Sequence, residues 1–158
     1  MWDVFLFKIR IAAVEQTTAI RLMARQSLWV TALSEGYLLA GRLEEASDLA
    51  GRALALARAQ KERGNQARAL RLLGEIVAHG DPPQVEPATD YYRQALALAE
   101  ELGMRPLQAH CHFGLGTLYA KLGQPEQARV ELSAAIALYR AMDMTFWLPE
   151  VETALAQV

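Results

Sequence analysis

The sequence contains a single cysteine, Cys111, which excludes a disulfide bond within the chain. It also lacks an excess of either charge, since 16 basic and 18 acidic residues leave a net charge of −2. Domains that bind duplex nucleic acid usually carry a basic excess on one face, so we expect no nucleic-acid partner. β-branched residues are few, and alanine and leucine dominate, which favours helices over strands.

The N-terminal segment lacks the positive charge that precedes the apolar part of a signal peptide. Lys8 and Arg10 interrupt its apolar run, so a membrane span is not expected either. We therefore expect a cytoplasmic protein, in agreement with the lone cysteine. Seven large apolar residues lie between Trp2 and Ile11. We expect them to be buried, and we favour a homodimer through this segment over packing against the rest of the chain.

Three stretches of the chain carry the same spaced pattern of apolar and small residues. They align on Leu33, Leu73 and Leu115, which lie 40 and 42 residues apart. The positions that follow are Tyr37, Val77 and Tyr119, then Gly41, Gly80 and Gly123, then Ala46, Ala88 and Ala128, and finally Ala53, Ala95 and Ala135. Such self-similarity indicates stacked helical hairpins, in which a leucine and an alanine of each repeat enter the core.

We therefore predict an all-α fold, a right-handed α-solenoid of about three helical hairpins with flanking N- and C-terminal helices. Residues 1–25 form an apolar segment or part of a truncated repeat, and residues 145–158 form a capping helix. The three repeats occupy residues 26–64, 65–104 and 105–144. We expect a helix end near residues 63–65, and the prolines at 82, 83 and 87 predict a non-helical turn over residues 79–87.

The third repeat resembles a tetratricopeptide repeat, since Leu115-Gly116, Tyr119, Gly123, Ala128 and Ala135 occur in the order typical of that family. Close helix packing accounts for the Gly114-Leu115-Gly116 run, which has no preceding strand and is not a phosphate-binding loop. The chain departs from the family pattern at two positions. Val30, Leu70 and His112 replace the usual tryptophan, and Arg58, Glu100 and Arg140 replace the usual proline.

Residues 91–107 and 109–116 resemble the C-terminal helical repeats of bacterial multidomain regulators, and residues 139–148 are similar to the end of those repeats. Such regulators join a nucleotide cyclase or another signalling domain to a P-loop ATPase and then to the repeats. This chain has no Walker lysine, cyclase or kinase motif. The resemblance therefore implies a sensor or scaffold module of a signalling protein, without catalytic activity of its own.

His110-Cys111-His112 is the sharpest candidate for chemistry, with His79 as a further possible metal ligand. On a helix, residues two apart diverge by about 200°, so His110 and His112 cannot share one ion. Cys111 has no identifiable third residue to orient a base, which favours a buried structural thiol over a nucleophile. We expect no metal, no cofactor and no enzymatic activity.

The inner face of the array is the better candidate site, because the first helix of each hairpin lines the concave side of such a solenoid. Helical phase places twelve residues there: Leu28, Thr31, Glu35, Leu38, Arg68, Arg71, Glu75, His79, His110, Phe113, Thr117 and Lys121. This mixture suits a peptide with acidic groups and an apolar anchor. An ordinary solvated helix face is the open alternative for these residues.

Two functions follow from this face. The leading hypothesis is a non-catalytic protein-interaction scaffold, and the alternative is a small-molecule sensor. Arrays that clamp the C-terminal carboxylates of chaperones use asparagine where Glu75 stands, so we do not expect that ligand. We expect Arg68 and Arg71, one helical turn apart, to present their charges to a partner without a part in folding.

Overall fold

The computed structural model describes residues 26–158, and within that range the chain forms seven α-helices and no strand. The helices are α1 (Gln26–Leu39), α2 (Leu43–Ala59), α3 (Arg63–Ala78), α4 (Val85–Glu101), α5 (Arg105–Lys121), α6 (Pro125–Ala141) and α7 (Leu148–Ala156). The helix and the homodimer contact predicted within residues 1–25 lie outside the described range. None of the described helices is both long and apolar enough to cross a lipid bilayer.

The helices pack in the order in which they follow one another along the chain. The most extensive contacts join α1 to α2, α3 to α4 and α5 to α6, and each hairpin also packs against the next through α2 with α3 and α4 with α5. The first helices α1, α3 and α5 touch in succession, and α7 covers α6. This arrangement confirms the predicted all-α solenoid of helical hairpins.

Five helices end in the same left-handed turn. The residue after the last helical turn has positive φ at Gly41 (74°), Lys61 (57°), Gly103 (65°), Gly123 (67°) and Asp143 (53°). The residue that follows donates its backbone N–H to a carbonyl five residues back, as in the 2.8 Å bond from Glu62 to Ala57. The turn between α2 and α3 therefore occupies residues 60–62, and the predicted helix end near residues 63–65 is wrong. The prediction relied on Gly64, whereas Lys61 adopts the left-handed conformation that glycine usually supplies.

The connection between α3 and α4 differs from the other turns. Helix α4 begins at Val85, so the last three residues of the predicted non-helical turn, residues 85–87, are helical. Pro87 is tolerated there because the N–H groups of a first helical turn have no intrahelical acceptor. The C-terminal helix likewise begins at Leu148 with Pro149 in its first turn, three residues after the predicted start.

Small residues allow the helices of each hairpin to cross closely. Ala46, Ala88 and Ala128, aligned positions of the repeats predicted to enter the core, are completely buried. A Cβ at Gly116 would lie 2.6 Å from Cγ of Leu132, which confirms the close packing expected around that glycine. The buried core continues through the alanines and leucines of α3 and α6.

Leu33 does not occupy the core position that its alignment with Leu73 and Leu115 predicts. Its side chain is 54% exposed, whereas Leu73 and Leu115 are buried. Ser34 is buried instead and donates a hydrogen bond of 2.6 Å to the carbonyl of Ala46.

Candidate functional site

One concave cavity of about 580 Å³ runs along the inner side of the array. Its wall contains all twelve residues that helical phase placed on the inner face: Leu28, Thr31, Glu35, Leu38, Arg68, Arg71, Glu75, His79, His110, Phe113, Thr117 and Lys121. The structure therefore brings the predicted residues together on α1, α3 and α5 and at the end of α3. That they bind a ligand stays a prediction.

Arg71 lies at the centre of the cavity and joins two helices. Its guanidinium donates to Oε1 of Glu35 on α1 at 2.8 Å and to Oε2 of Glu75 on its own helix at 2.5 Å. The side chain is only 17% exposed. Burial alone would lower the pKa of this guanidinium, but the two carboxylates outweigh it and raise the pKa. Arg71 is therefore held by two ion pairs within the protein, and the expectation that it presents its charge to a partner stays a prediction.

The ring of Tyr92 reaches the cavity from α4, the second helix of its hairpin. The side chain is 4% exposed and passes between Gly74 on α3 and Gly114 on α5. A Cβ at Gly74 would lie 3.0 Å from the ring, and one at Gly114 would lie 2.6 Å from the hydroxyl oxygen. Burial raises the pKa of this phenol, so its hydroxyl is a neutral group throughout the physiological range.

His110 connects the cavity to an aromatic cluster at its far end. Nδ1 of His110 lies 2.7 Å from the hydroxyl of Tyr139 on α6. The indole of Trp147, next to α7, packs edge-on against the imidazole with 4.9 Å between the ring centroids. Burial, together with the charge of Arg71, lowers the pKa of His110 to about 4. The imidazole is therefore neutral at physiological pH.

Apolar side chains line the cavity on both sides of α3, the helix that carries Arg71 and Glu75. Leu28 and Leu38 of α1 line one end, and Phe113 and Trp147 line the other. All four side chains are half-buried, so each has apolar surface to offer a ligand. Thr31 lines the cavity but has no free hydrogen to donate to a ligand, because it is buried and its hydroxyl donates to the carbonyl of Ser27 at 2.8 Å.

The charges of the lining balance. Arg68, Arg71 and Lys121 are basic, whereas Glu35, Glu75 and Glu150 are acidic. Since Arg71 is already bound to two of these carboxylates, only Arg68 and Lys121, which are both exposed, remain to attract an acidic group. The predicted preference for an acidic peptide thereby loses its main support.

The two flanking histidines of the His110-Cys111-His112 run make separate contacts. His112 points to α6, where its Nδ1 lies 2.6 Å from Oε2 of Glu131. His79 is exposed at the end of α3, with Nδ1 2.8 Å from the carbonyl of Glu75. Among residues 26–158, no three His, Cys, Asp or Glu side chains converge on a metal position. Burial raises the pKa of the Cys111 thiol to about 12, so the nucleophilic thiolate is suppressed.

Sequence reasoning missed several residues of the cavity wall. Tyr92, Trp147 and Glu150 do not lie on a first helix, so the rule that selected the inner face passes over them. The signal that could identify Tyr92 is the pair Gly74 and Gly114, which occupy first helices of successive hairpins and leave room for one large ring between them.

The comparisons with known proteins agree with this architecture. Residues 50–75 and 109–134 match the family model described as tetratricopeptide repeat. The second match covers most of α5 and α6, whereas the first runs from α2 into α3 and so joins two adjacent hairpins. Tetratricopeptide repeats generally act as non-catalytic scaffolds that bind other proteins.

A solved structure with the same fold is that of aspartyl phosphate phosphatase F from Bacillus subtilis. It aligns with a TM-score of 0.73 and 22% sequence identity, over 84% of this chain and 34% of the other. The chain thus spans about a third of the length of that protein. Likeness at this identity concerns the fold alone. No curated protein matches the chain, and the resemblance to multidomain regulators stays a prediction.

Proposed function

We propose that this chain is a non-catalytic protein-interaction module whose concave cavity binds an extended segment of a partner protein. The observation that carries the proposal is the cavity itself. Five helices bring apolar side chains and hydrogen-bonding groups together around one cavity of about 580 Å³. An extended peptide presents alternating side chains and backbone amides, so this order of apolar and polar groups suits it.

Site-specific photo-crosslinking tests the proposal. A benzoylphenylalanine at Thr117, which is half-buried in the cavity wall, should cross-link to a polypeptide partner in cells. The same group at Asp48, an exposed position of α2 outside the cavity lining, serves as the matched control. A partner captured equally at both positions, or only at Asp48, would place the binding surface outside the cavity.

A small-molecule sensor is the second candidate, because the volume of the cavity falls in the range of about 300–1,000 Å³ that is usual for small ligands. Thermal-shift measurements separate the two functions, since any ligand that binds the folded state raises its apparent stability. A sensor is stabilised by metabolites. A scaffold is stabilised by peptides alone.

The cellular setting of the proposal rests on the sequence. We infer that the module belongs to a bacterial signalling protein of the cytoplasm, because residues 91–107 and 139–148 resemble the repeats of such regulators. The neighbouring coding sequence tests this inference. A cyclase or P-loop ATPase encoded in the same reading frame supports it, and a reading frame limited to the repeats contradicts it.

We also propose that the chain forms a homodimer through residues 1–11, which contain seven large apolar side chains. An isologous contact buries the same patch on both copies. Light scattering should give the mass of a dimer for the full chain and of a monomer after deletion of residues 1–11. A monomeric full chain rejects the dimer, and a dimer that survives the deletion moves the interface elsewhere.

A further inference from the structure

We propose that the centre of the cavity binds an uncharged amide group of the partner segment and discriminates against carboxylates. The Tyr92 hydroxyl and the Nε2 hydrogen of His110 are its contacts. This inference rests on the proposed function, because it specifies which peptide chemistry the same cavity selects. It replaces the acidic ligand that the sequence suggested.

The first observation is the Tyr92 hydroxyl. The ring is held in the slot between Gly74 and Gly114, and its hydroxyl faces the cavity. Within residues 26–158 this hydroxyl has no hydrogen-bond partner, although the side chain is 96% buried. A phenolic hydroxyl can donate one hydrogen bond and accept another. The structure thus aims an unsatisfied polar group at the space that a ligand would occupy.

The second observation is the orientation of the His110 imidazole. Tyr139 is completely buried, and its hydroxyl contacts Nδ1 of His110. A buried hydroxyl must donate its hydrogen, so Nδ1 is the acceptor, and the hydrogen of the neutral ring resides on Nε2. His110 lines the cavity, and its Nε2 is therefore a second uncharged donor there.

The third observation is the charge around these two donors. Arg71 contributes one positive charge at the centre, and Glu35 and Glu75 contribute two negative charges. A carboxylate on the Tyr92 hydroxyl would meet the negative charge of Glu75 more strongly than the positive charge of Arg71, whereas an amide carbonyl meets two donors without a Coulombic penalty. The N–H of the bound amide also has an acceptor, which is Oε1 of Glu75. Arg71 donates to Oε2 of that carboxylate and leaves Oε1 free of this bond.

Apolar surface lies next to the polar centre. Phe113 and Trp147 line the same cavity as His110, and both are half-buried. An amide seated on Tyr92 and His110 would bring a neighbouring side chain of the peptide against these rings, where burial of apolar area favours binding. The fitting ligand is an uncharged segment with a large apolar side chain close to the bound amide.

The test uses the full chain and three pools of heptapeptides that carry the uncharged dye BODIPY. All peptides have a central phenylalanine and blocked ends, and the flanking residues are Ser, Asn and Gln in one pool, Asp and Glu in the second, and Lys and Arg in the third. Fluorescence anisotropy should give tighter binding for the uncharged pool than for the acidic pool. The acidic pool should bind at least about fivefold more weakly, because of the net negative centre.

Two variants assign the effect to the hydroxyl. Tyr92→Phe keeps the ring in its slot and should weaken binding of the uncharged pool by about three- to tenfold, the change expected for one hydrogen bond. Its melting temperature should not fall, since no hydrogen bond within the described residues is lost. Tyr119→Phe is the matched control, because the Tyr119 hydroxyl bonds Arg93 and does not line the cavity.

The outcomes separate this inference from the proposed function. An acidic pool that binds as tightly as the uncharged pool, or an uncharged pool that binds Tyr92→Phe as tightly as the parent protein, overturns the amide inference and leaves the peptide-binding module intact. Failure of all three pools to bind overturns the proposed function itself. A fall in the melting temperature of Tyr92→Phe would assign the hydroxyl to folding and also overturn the inference.

Discussion

The ring of Tyr92 occupies the space that a side chain at Gly114 would need. A Cβ at residue 114 would lie 2.6 Å from the Tyr92 hydroxyl oxygen, well inside van der Waals contact. Gly114 belongs to α5 and Tyr92 to α4, so this contact is made between two hairpins. The absence of a side chain at one residue thus determines that a second-helix residue reaches the concave wall.

We expect Gly114→Ala to destabilise the protein by about 1–3 kcal/mol, because the added methyl group must displace a closely packed ring. Gly51→Ala is the matched control. Gly51 also lies within a helix, but a Cβ there meets no atom within 4 Å, so helix propensity should stabilise that variant by about 0.5–1 kcal/mol. Urea unfolding measures both changes. Equal stability of the two variants would contradict the contact.

Arg71 should contribute to stability, whereas Arg68, one turn away, should not. We expect Arg71→Met to cost about 1–3 kcal/mol, because it leaves the carboxylates of Glu35 and Glu75 without their cation in a partly buried site. Arg68→Met should stay within about 0.5 kcal/mol of the parent, since Arg68 is exposed. The midpoint of urea unfolding measures each effect, and similar midpoints for the two variants would show that the ion pairs do not stabilise the fold.

Replacement of Lys61 with glycine should increase the stability of the protein. Its φ of 57° lies in the left-handed region, where a side chain costs roughly 1 kcal/mol. Lys61→Gly should therefore stabilise the protein by up to about 1 kcal/mol. Gly123→Ala, at the equivalent turn with φ of 67°, should destabilise it by a similar amount. Calorimetry should give a higher melting temperature for Lys61→Gly and a lower one for Gly123→Ala. A lower melting temperature for Lys61→Gly would contradict the turn assignment.

Stability should depend on the protonation of His110. Its pKa is lowered to about 4 by burial, below the ordinary value of 6.5, so the unfolded chain binds the proton more tightly. The contribution of the neutral imidazole to the free energy of unfolding is fully present above pH 6.5 and is lost as the pH falls towards 4. We expect a loss of about 1–2 kcal/mol over this range, because the side chain is partly exposed to solvent.

The variant His110→Gln isolates this effect from the titration of carboxylates. Glutamine keeps an acceptor for the Tyr139 hydroxyl and does not titrate. The free energy of unfolding, measured between pH 7 and 4, should therefore fall less steeply for His110→Gln than for the parent protein. Parallel curves would show that His110 has the same pKa in the folded and unfolded chains.

The sequence was sufficient to predict which residues of the first helices line the concave wall and insufficient to predict how they pair with one another. Residues on α3 and α5 recur at helical spacing, so phase alone placed Glu75 and Phe113 on the cavity. The partner of Arg71 on α1, Glu35, is 36 residues away in sequence. That ion pair depends on the packing of separate hairpins, which no local pattern encodes.

The position of Leu33 illustrates a different limit. Its spacing matches Leu73 and Leu115, yet its side chain is exposed and Ser34 is buried instead. Lys61 marks a third limit, since left-handed backbone is expected at glycine and is adopted here by a lysine. Repeat patterns predict which residues are equivalent. They do not predict which neighbour each copy meets.

The slot around Tyr92 has a mechanical consequence. A ring held between glycines on both sides cannot tilt, so α3 and α5 cannot slide past each other without expelling it. The joint between the second and third hairpins therefore resists shear. The joint between the first and second hairpins is bridged by Arg71 and Glu35, a polar contact that salt weakens. High salt should therefore loosen this polar contact at the first joint, while the slot around Tyr92, an apolar contact, should not respond to it.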